Sequence, residues 1–278
     1  MNTEENQIQE EKVDIKNLLF RYYNHWYYFL LSIVLFSLIA FAYNRYTTPI
    51  YSVSSTLLIR DDNNTQLGAE NILEGMELFS GKTNINNEII LLKSFSLINQ
   101  VVNDLELGVS YYQHGFLQSS ELFQNTPFTV KVDSNHQQIT NTEFKIKIID
   151  DKLFRLVCSI DDEYTYNLKT DRLNKNILAN LDLDSEFLFN KQIKTDFFSF
   201  KINKTKSFNL EEILEDDKEL SFKFHQRAKV VGRFIEDVAI NPINKETSVL
   251  KLKINGENPV KNIDFLNKLT EKYISNGL

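Results

Sequence analysis

The segment from Trp26 to Tyr43, WYYFLLSIVLFSLIAFAY, constrains this chain more than any other. These 18 residues carry no charge, and the charge-free window extends from Arg21 to Arg45. As a helix the segment would span about 27 Å at ~1.5 Å per residue, close to the ~30 Å hydrocarbon core of a bilayer. Trp26, Tyr27 and Tyr28 at one end, and Tyr43 and Tyr46 at the other, stand where aromatic rings settle at the headgroup level. A buried core helix of this length usually carries a polar stripe. A cleaved signal peptide is the other alternative, and Ala40-Phe41-Ala42 has the small-residue pattern of a cleavage site. Against cleavage stand an acidic leader (Glu4, Glu5, Glu10, Glu11 and Asp14 against Lys12, Lys16 and Arg21) and an apolar run longer than the ~7–15 residues of a signal. The expectation is an uncleaved transmembrane helix over 26–46, with Trp26, Tyr27, Tyr28 and Tyr43 as its interfacial anchors. Lys12, Lys16 and Arg21 before the helix, against Arg45 and Arg60 after it, place residues 1–25 in the cytoplasm and those after about 46 outside it.

Composition narrows what the exterior part can do. The chain has 278 residues and a net charge of -7, from 31 basic and 38 acidic side chains. An acidic balance without a dense Lys/Arg block makes nucleic acid an unsuitable partner. One cysteine, Cys158, excludes an internal disulfide framework and any multi-cysteine metal site.

Hydrophobic periodicity then divides the exterior. Residues 50–60 (IYSVSSTLLIR) read as a strand leaving the membrane after Pro49. Residues 84–107 read as one helix, with Ile85, Ile89 and Leu92, then Ile98, Val101, Val102 and Leu105, at helical spacing. Asn84 or Asn86 would cap it and Gly108 would stop it. Between 109 and 224 the period changes to two: Phe128-Val130-Val132, Phe144-Ile146-Ile148, Phe198-Phe200-Ile202 and Leu220-Phe222-Phe224 each alternate with polar residues. That stretch is expected to be antiparallel sheet, with Asp150-Asp151 in a hairpin turn. Residues 225–237 read as a short helix and 248–254 as a strand. Asn255-Gly256 is expected to turn the chain, and Asn258 to cap a helix beginning at Pro259. Val260, Ile263, Leu266, Leu269 and Tyr273 would form the apolar face of that helix. The helix runs up to the end at Leu278 without a strong stop, so the chain is expected to be a fragment of a longer protein. The fold class is α+β: a transmembrane helix (26–46), a membrane-proximal α/β domain (47–108 and 225–278) and a β-rich antiparallel insertion (109–224).

No catalytic or metal-binding motif in the sequence is complete. Gly81-Lys82-Thr83 has the end of a phosphate loop, but Gly75 leaves five intervening residues where four are needed and no apolar strand precedes it. Asp61-Asp62-Asn63-Asn64 resembles the start of a calcium loop, but Gln66 and Ile72 occupy the positions that need Gly and Glu. His25, His114, His136 and His225 are scattered. Asp161-Asp162-Glu163 reads as exposed charge in a polar turn, and Cys158 as a small core residue. Asn63-Asn64-Thr65 and Asn203-Lys204-Thr205 match the glycosylation pattern, which matters only in a host that glycosylates. No catalytic, cofactor-binding or metal-ligating residue is assigned.

The order of features is more specific than any one of them. Pro49-Ile50-Tyr51 and a strand ending Thr56-Leu57-Leu58-Ile59 follow the membrane helix. Asn84 to Ser94 carries Asn87-Glu88-Ile89 with Leu92-Lys93-Ser94. Val109-Ser110-Tyr111-Tyr112, Ser120-Glu121-Leu122-Phe123 and Pro127-Phe128 come next. Lys245-Glu246-Thr247-Ser248-Val249-Leu250 and then Asn258-Pro259 with Asp264-Phe265-Leu266-Asn267 close the series. As an ordered set these resemble the Wzz-type chain-length determinant domain of bacterial polysaccharide co-polymerases. The set is most similar to the exterior part of Wzc-like tyrosine autokinases of Bacteroidetes-type bacteria, which carry a β-rich insertion.

The resemblance implies an inner-membrane scaffold that biases the length and export of a surface polysaccharide, capsular or exopolysaccharide. Its partners would be further copies of itself, a polysaccharide polymerase, an outer-membrane export protein, the growing polymer and the bilayer. ATP and magnesium would enter only with a kinase domain beyond residue 278. Exposed charges such as Glu88, Lys93 and Lys268 are the candidates for contacts between copies, and Tyr111, Tyr112 and Phe116 could stack on sugars, although core packing also accounts for them. The same anchor and exterior also suit a single-anchor receptor or an efflux component.

Overall fold

The computed structural model describes residues 25–59, 85–115, 119–215, 219–244 and 248–276, together with Lys16 and Tyr23. The chain divides into two units, Met1–Thr48 and Pro49–Leu278. In the first, helix α1 (Trp26–Tyr46) has the bounds expected from the apolar run. None of its residues is buried, so its apolar surface is turned outward on every side. By length and composition α1 can cross a membrane. It ends where the Thr47 N–H and hydroxyl both return to Tyr43 O, at 3.0 and 2.8 Å.

The second unit opens with β1 (Tyr51–Leu58), followed by helical residues 85–92 (α2) and α3 (Phe95–Asp104). The single helix expected over 84–107 is therefore two. Ser94 takes an extended conformation and its Oγ accepts the Leu97 N–H at 3.3 Å, capping α3 and ending the α2 turn. Gly108 is not the stop. Glu106 adopts a left-handed φ of 52°, and bonds from Leu107 N to Val102 O (3.0 Å) and Glu106 N to Asn103 O (3.1 Å) complete a Schellman motif. A non-glycine residue at that position hides the motif from sequence reading.

The alternating stretch folds as expected, into strands. These are β2 (Val109–His114), β3 (Ser119–Leu122), β4 (Phe128–Val132), β5 (Gln137–Gln138), β6 (Glu143–Ile148), β7 (Leu153–Asn167), β8 (Arg172–Leu188), β9 (Gln192–Lys194) and β10 (Ser199–Lys204), then a one-and-a-half-turn helix α4 (Leu210–Glu215) and β11 (Glu219–Phe224). One sheet has the order β3-β2-β11-β6-β7-β5, with β8 also paired to β7, and a smaller one the order β4-β10-β9. All their pairings are antiparallel. The inward residues of the two sheets meet in a phenylalanine core. Phe144 stacks on Phe222 with centroids 5.0 Å apart and meets Phe198 and Phe200 of the opposite sheet edge-on at 5.3 and 5.4 Å. The hairpin turn at Asp150 forms as expected, its Oδ1 accepting the N–H groups of Lys152 and Leu153. Asp161-Asp162-Glu163 lies within β7, not in a turn, at an irregularity where Asp162 takes a left-handed φ of 51°.

The chain then returns through α5 (Arg227–Asp237), β12 (Ala239–Pro242), β13 (Val249–Gly256) and α6 (Pro259–Asn276). β13 is the middle strand of a third antiparallel sheet, β1-β13-β12. Leu250, Leu252 and Ile254 of β13 are buried against α3, α5 and α6, a second core in which Phe234 and Phe265 stack at 4.1 Å. Asn255-Gly256 does not turn the chain. Both residues stay in β13, paired with Ser52 and Tyr51. A Cβ at Gly256 would sit 2.8 Å from Asn262 Nδ2, so a larger residue there would have to displace that side chain. The buried face of α6 is also rotated from the expected one. Asn262, Phe265, Leu266 and Leu269 are inside, while Val260 and Ile263 are each 45% exposed. Asn258 caps α6 as expected, its Oδ1 accepting the Lys261 N–H at 3.1 Å.

Candidate functional site

Helices α2, α3 and α6 present a mixed apolar and charged surface. Residues 89–92 are Ile-Ile-Leu-Leu, and at ~100° per residue four consecutive apolar side chains cannot all face one core. Leu92 is fully buried and Ile89 partly so, which turns Ile90 and Leu91 outward. Phe95 on α3 and Val260, Ile263 and Ile274 on α6 are likewise exposed. Two of the three charged candidates are engaged within the chain. Glu88 accepts a 2.6 Å hydrogen bond from the Tyr273 hydroxyl, joining α2 to α6, and Lys268 pairs with Glu271 at 2.7 Å. Lys93 is half-buried at the junction of α2 and α3, its N–H bonded to Ile89 O at 3.0 Å. No ion pair joins the three. The exposed apolar residues beside them were legible only in the four-residue apolar run.

The second feature lies where the phenylalanine core meets the α5–α6 core. Lys261 of α6 pairs with Glu121 of β3 at 2.6 Å, both largely buried, and Asn258 Nδ2 donates to Glu121 O at 3.0 Å. Lys261 and Glu121 line two cavities. One, of about 330 Å³, is bounded also by Asp104, Glu106, Tyr111, Gln124 and Asp264. The other, of about 250 Å³, is bounded by Tyr112, Arg233, Asp237, Glu257 and Asn262. Tyr111 points inward, its OH accepting the Val130 N–H at 3.0 Å and its ring meeting Phe128, so of the three aromatic candidates it belongs to the core. Burial holds its hydroxyl up at about 12.

His225 sits at the same junction, its Nε2 3.0 Å from Ser110 Oγ. Burial, reinforced by the positive charges of Arg233 and Lys261, pushes its imidazole down to about 4. An unfolded histidine titrates near ~6.5, so between 6.5 and 4 the unfolded chain binds the proton and the folded one does not. This contribution to stability is complete above about pH 6.5 and falls as the pH drops toward 4, by at most about 3 kcal/mol. Thermal melts between pH 7 and 4 are expected to lose this slope in His225→Gln, which keeps a partner for Ser110 without titrating. An unchanged pH dependence in that variant would show that the slope has another source.

A hydroxyl–imidazole–carboxylate group occurs on the outer face of the large sheet. His114 Nδ1 lies 2.7 Å from Ser119 Oγ, and its Nε2 lies 2.7 Å from Ser221 Oγ and 2.9 Å from Glu143. Ser221 also donates to Glu143 at 2.7 Å. The network ties β2, β3, β6 and β11 together, and neither cavity at the junction is lined by it. Its members are 5 to 107 residues apart in sequence, which is why scattered histidines gave no sign of it. Cys158 is buried in β7, and burial pushes its thiol up to about 12, leaving it protonated. Among the described residues no group of three or more His, Cys, Asp or Glu side chains is placed to hold a metal ion. Arg60, Asp61 to Thr65, Gly75, Gly81-Lys82-Thr83, Asn84, Phe116 and Lys245-Glu246-Thr247 lie outside the described residues.

With this geometry in hand, residues 11–105 match the model of a protein family, Wzz, described as chain length determinant protein. The match covers about a third of the chain and takes in α1, β1, α2 and α3. No curated protein matches the chain.

Proposed function

We propose, from the match of residues 11–105 to the Wzz chain length determinant family, a scaffold of polysaccharide co-polymerisation that sets the length of a surface polysaccharide, capsular or exopolysaccharide. The family match over the apolar helix and the first exterior elements is the observation that carries this. The work of such a scaffold is binding and geometry. α1 fixes each copy in the inner membrane, with residues 1–25 in the cytoplasm and those after about 46 in the periplasm, in keeping with the basic residues that precede the helix. Trp26, Tyr27, Tyr28 and Tyr43 are exposed on α1 and suit the two interfacial belts.

Copies assemble through the α2–α3–α6 surface, where Ile90, Leu91 and Phe95 are exposed and Glu88, Lys93 and Lys268 supply the charged surroundings. Supporting this is the excess of exposed apolar side chains on these helices, which a lone protomer leaves in water. Residues 47–108 and 225–278 would make the assembling domain and 109–224 an insertion that reaches away from it. The polymerase and an outer-membrane export protein are the outside partners. The ordered resemblance to Wzc-like proteins further supports a tyrosine autokinase whose kinase part follows residue 278, a point settled by reading the gene downstream of that codon.

The assembly is tested by mass measurement in detergent. The wild-type chain is expected to be oligomeric, and Ile90→Glu combined with Leu91→Glu is expected to shift it to monomer, because two charges would be desolvated in each contact. A wild-type chain that is monomeric at every concentration would contradict the assembly. A double variant that keeps its full mass would move the contact elsewhere.

A further inference from the structure

The small sheet turns one face to the phenylalanine core. The alternation that buries Val130, Ile193, Phe200 and Ile202 sends every second side chain of β4, β9 and β10 the other way. Strand pairing sets those outward side chains in rows. Lys201 of β10 stands directly opposite Lys131 of β4 on one side and Gln192 of β9 on the other. Lys194 lies one row further, opposite Ser199. Lys131 and Lys194 are exposed and Lys201 is partly so. None of the three lysines has an ion pair or a side-chain hydrogen bond among the described residues.

Like charges directly across two strands destabilise a sheet, so the Lys131–Lys201 pair works against the fold that carries it. Directly opposite Cβ atoms lie about 4.5–5.5 Å apart and diagonal ones about 7–8 Å, which makes the three lysines one patch about 12 Å long. Nearby carboxylates do not neutralise it. Asp133, beyond the end of β4, bonds through its N–H to Ser199 O, and its Oδ1 accepts the Asn135 N–H at 3.0 Å. In the flanking turns the exposed Asp196 is outnumbered by the exposed Lys191 and Lys206. In a chain of net charge -7 this face is basic.

The rest of the face decides which anion fits. No large hydrophobic side chain of β4, β9 or β10 is exposed. A protein partner needs an apolar centre, and a membrane surface needs apolar side chains to take up. Beside the cations the face offers amides, which both donate to and accept from hydroxyls. Asn203 stands opposite Thr129, one row from the lysine pair, and Gln192 is held by a 2.8 Å bond from its Nε2 to Ser199 Oγ. Cations among amides, without an apolar centre, suit a flexible anion rich in hydroxyls.

We propose that the outer face of β4-β10-β9 binds an acidic polysaccharide. Lys131, Lys194 and Lys201 donate to the anionic groups of its sugar units, and Asn203 and Gln192 meet the hydroxyls. The proposal deepens the co-polymerase reading and rests on it for the source of the ligand, which would be the growing polymer.

The test uses the full chain in detergent and labelled hexamannuronate and hexagalacturonate, with binding read by fluorescence anisotropy. Labelled maltohexaose is the neutral comparison and labelled hexaglutamate the acidic peptide. At least one hexauronate is expected to bind, and to bind more weakly as salt rises from roughly 50 to 500 mM. Lys131→Gln combined with Lys201→Gln is expected to weaken that binding by about tenfold or more, the scale of one lost hydrogen bond to a charged group. The same variant is expected to melt no lower than the wild type, because the like-charge pair is gone. Lys169→Gln combined with Lys175→Gln removes the same charge from exposed positions of the β7–β8 hairpin and is expected to bind as the wild type does. Absence of binding by both hexauronates overturns the proposal, as does equal binding of maltohexaose or of hexaglutamate. Equal loss in the two double variants overturns it as well, by making the effect one of net charge. A deletion strain with normal polysaccharide lengths would overturn the co-polymerase reading instead, whatever the anisotropy gives.

Discussion

Replacing Phe144 by alanine is expected to lower the stability of the exterior part by about 3–5 kcal/mol, the range for removing a large buried aromatic side chain. Phe144 is wholly inaccessible and touches the rings of Phe198, Phe200, Phe222 and Phe224, so its removal opens a void bounded by both sheets. Those neighbours are held by strand pairing on either side of the gap, and β6 cannot slide inward without losing its register with β7 and β11. Collapse into the space is therefore limited, which places the loss toward the upper part of the range. The check is a urea titration followed by near-UV circular dichroism. Lys147→Ala, on the exposed face of the same strand, serves as the control and is expected to stay within about 0.5 kcal/mol of wild type. Equal midpoints for the two variants would mean that the phenylalanine cluster does not hold the sandwich together. The consequence reaches the junction, because β2 and β3, which carry Tyr112 and Glu121, belong to the same sheet as β6.

The second large effect concerns α1. Val34→Arg combined with Phe36→Arg is expected to remove the chain from the membrane fraction. Each arginine at a helix centre costs about 2.5–3.5 kcal/mol on an insertion scale, so the pair costs about 5–7 kcal/mol. The wild-type helix has no charge between Arg21 and Arg45 and no buried residue, so its apolar surface is covered by lipid or left in water. Cell fractionation with alkaline carbonate extraction reads the outcome. Wild type is expected in the pellet and the double variant in the supernatant or in aggregates. Retention of the double variant in the carbonate-resistant pellet would contradict an anchor at α1.

How much of this was legible in the sequence depends on how local each feature is. α1 was readable to the residue because one continuous property, the lack of charge over a bilayer's thickness, defines it. The inward strands were readable because alternation with period two is a local signal, and Phe144, Phe200 and Phe222 are all fully buried. Helix ends were less legible. The break at Ser94 depends on one side-chain hydrogen bond, and the end of α3 depends on Glu106 taking a conformation usually left to glycine. Asn255-Gly256 carries a turn signal, but in β13 the glycine serves the close approach of Asn262. The face of α6 was placed in part: Leu266, Leu269 and Tyr273 pack inward as read, but Val260 and Ile263 fit the spacing as well as Asn262 and Phe265 do, and only the position of β13 and α5 separates the two arcs. The junction cavity had no sequence signal, since Tyr112 lies more than a hundred residues before Asp237 and Asn262 and the three are assembled only by the tertiary fold. Glu88 and Lys268, chosen for their charge, have partners within the chain, whereas the exposed Ile90 and Leu91 were not singled out.

The most direct measurement is the length distribution of the surface polysaccharide in the native bacterium, read by gel electrophoresis. Three strains are compared: a deletion of the gene, the deletion complemented with wild type, and the deletion complemented with the Val34→Arg/Phe36→Arg variant. The account predicts a preferred length with wild type, and loss of that preference in the deletion and with the variant that cannot enter the membrane. An unchanged length distribution in the deletion strain would contradict it.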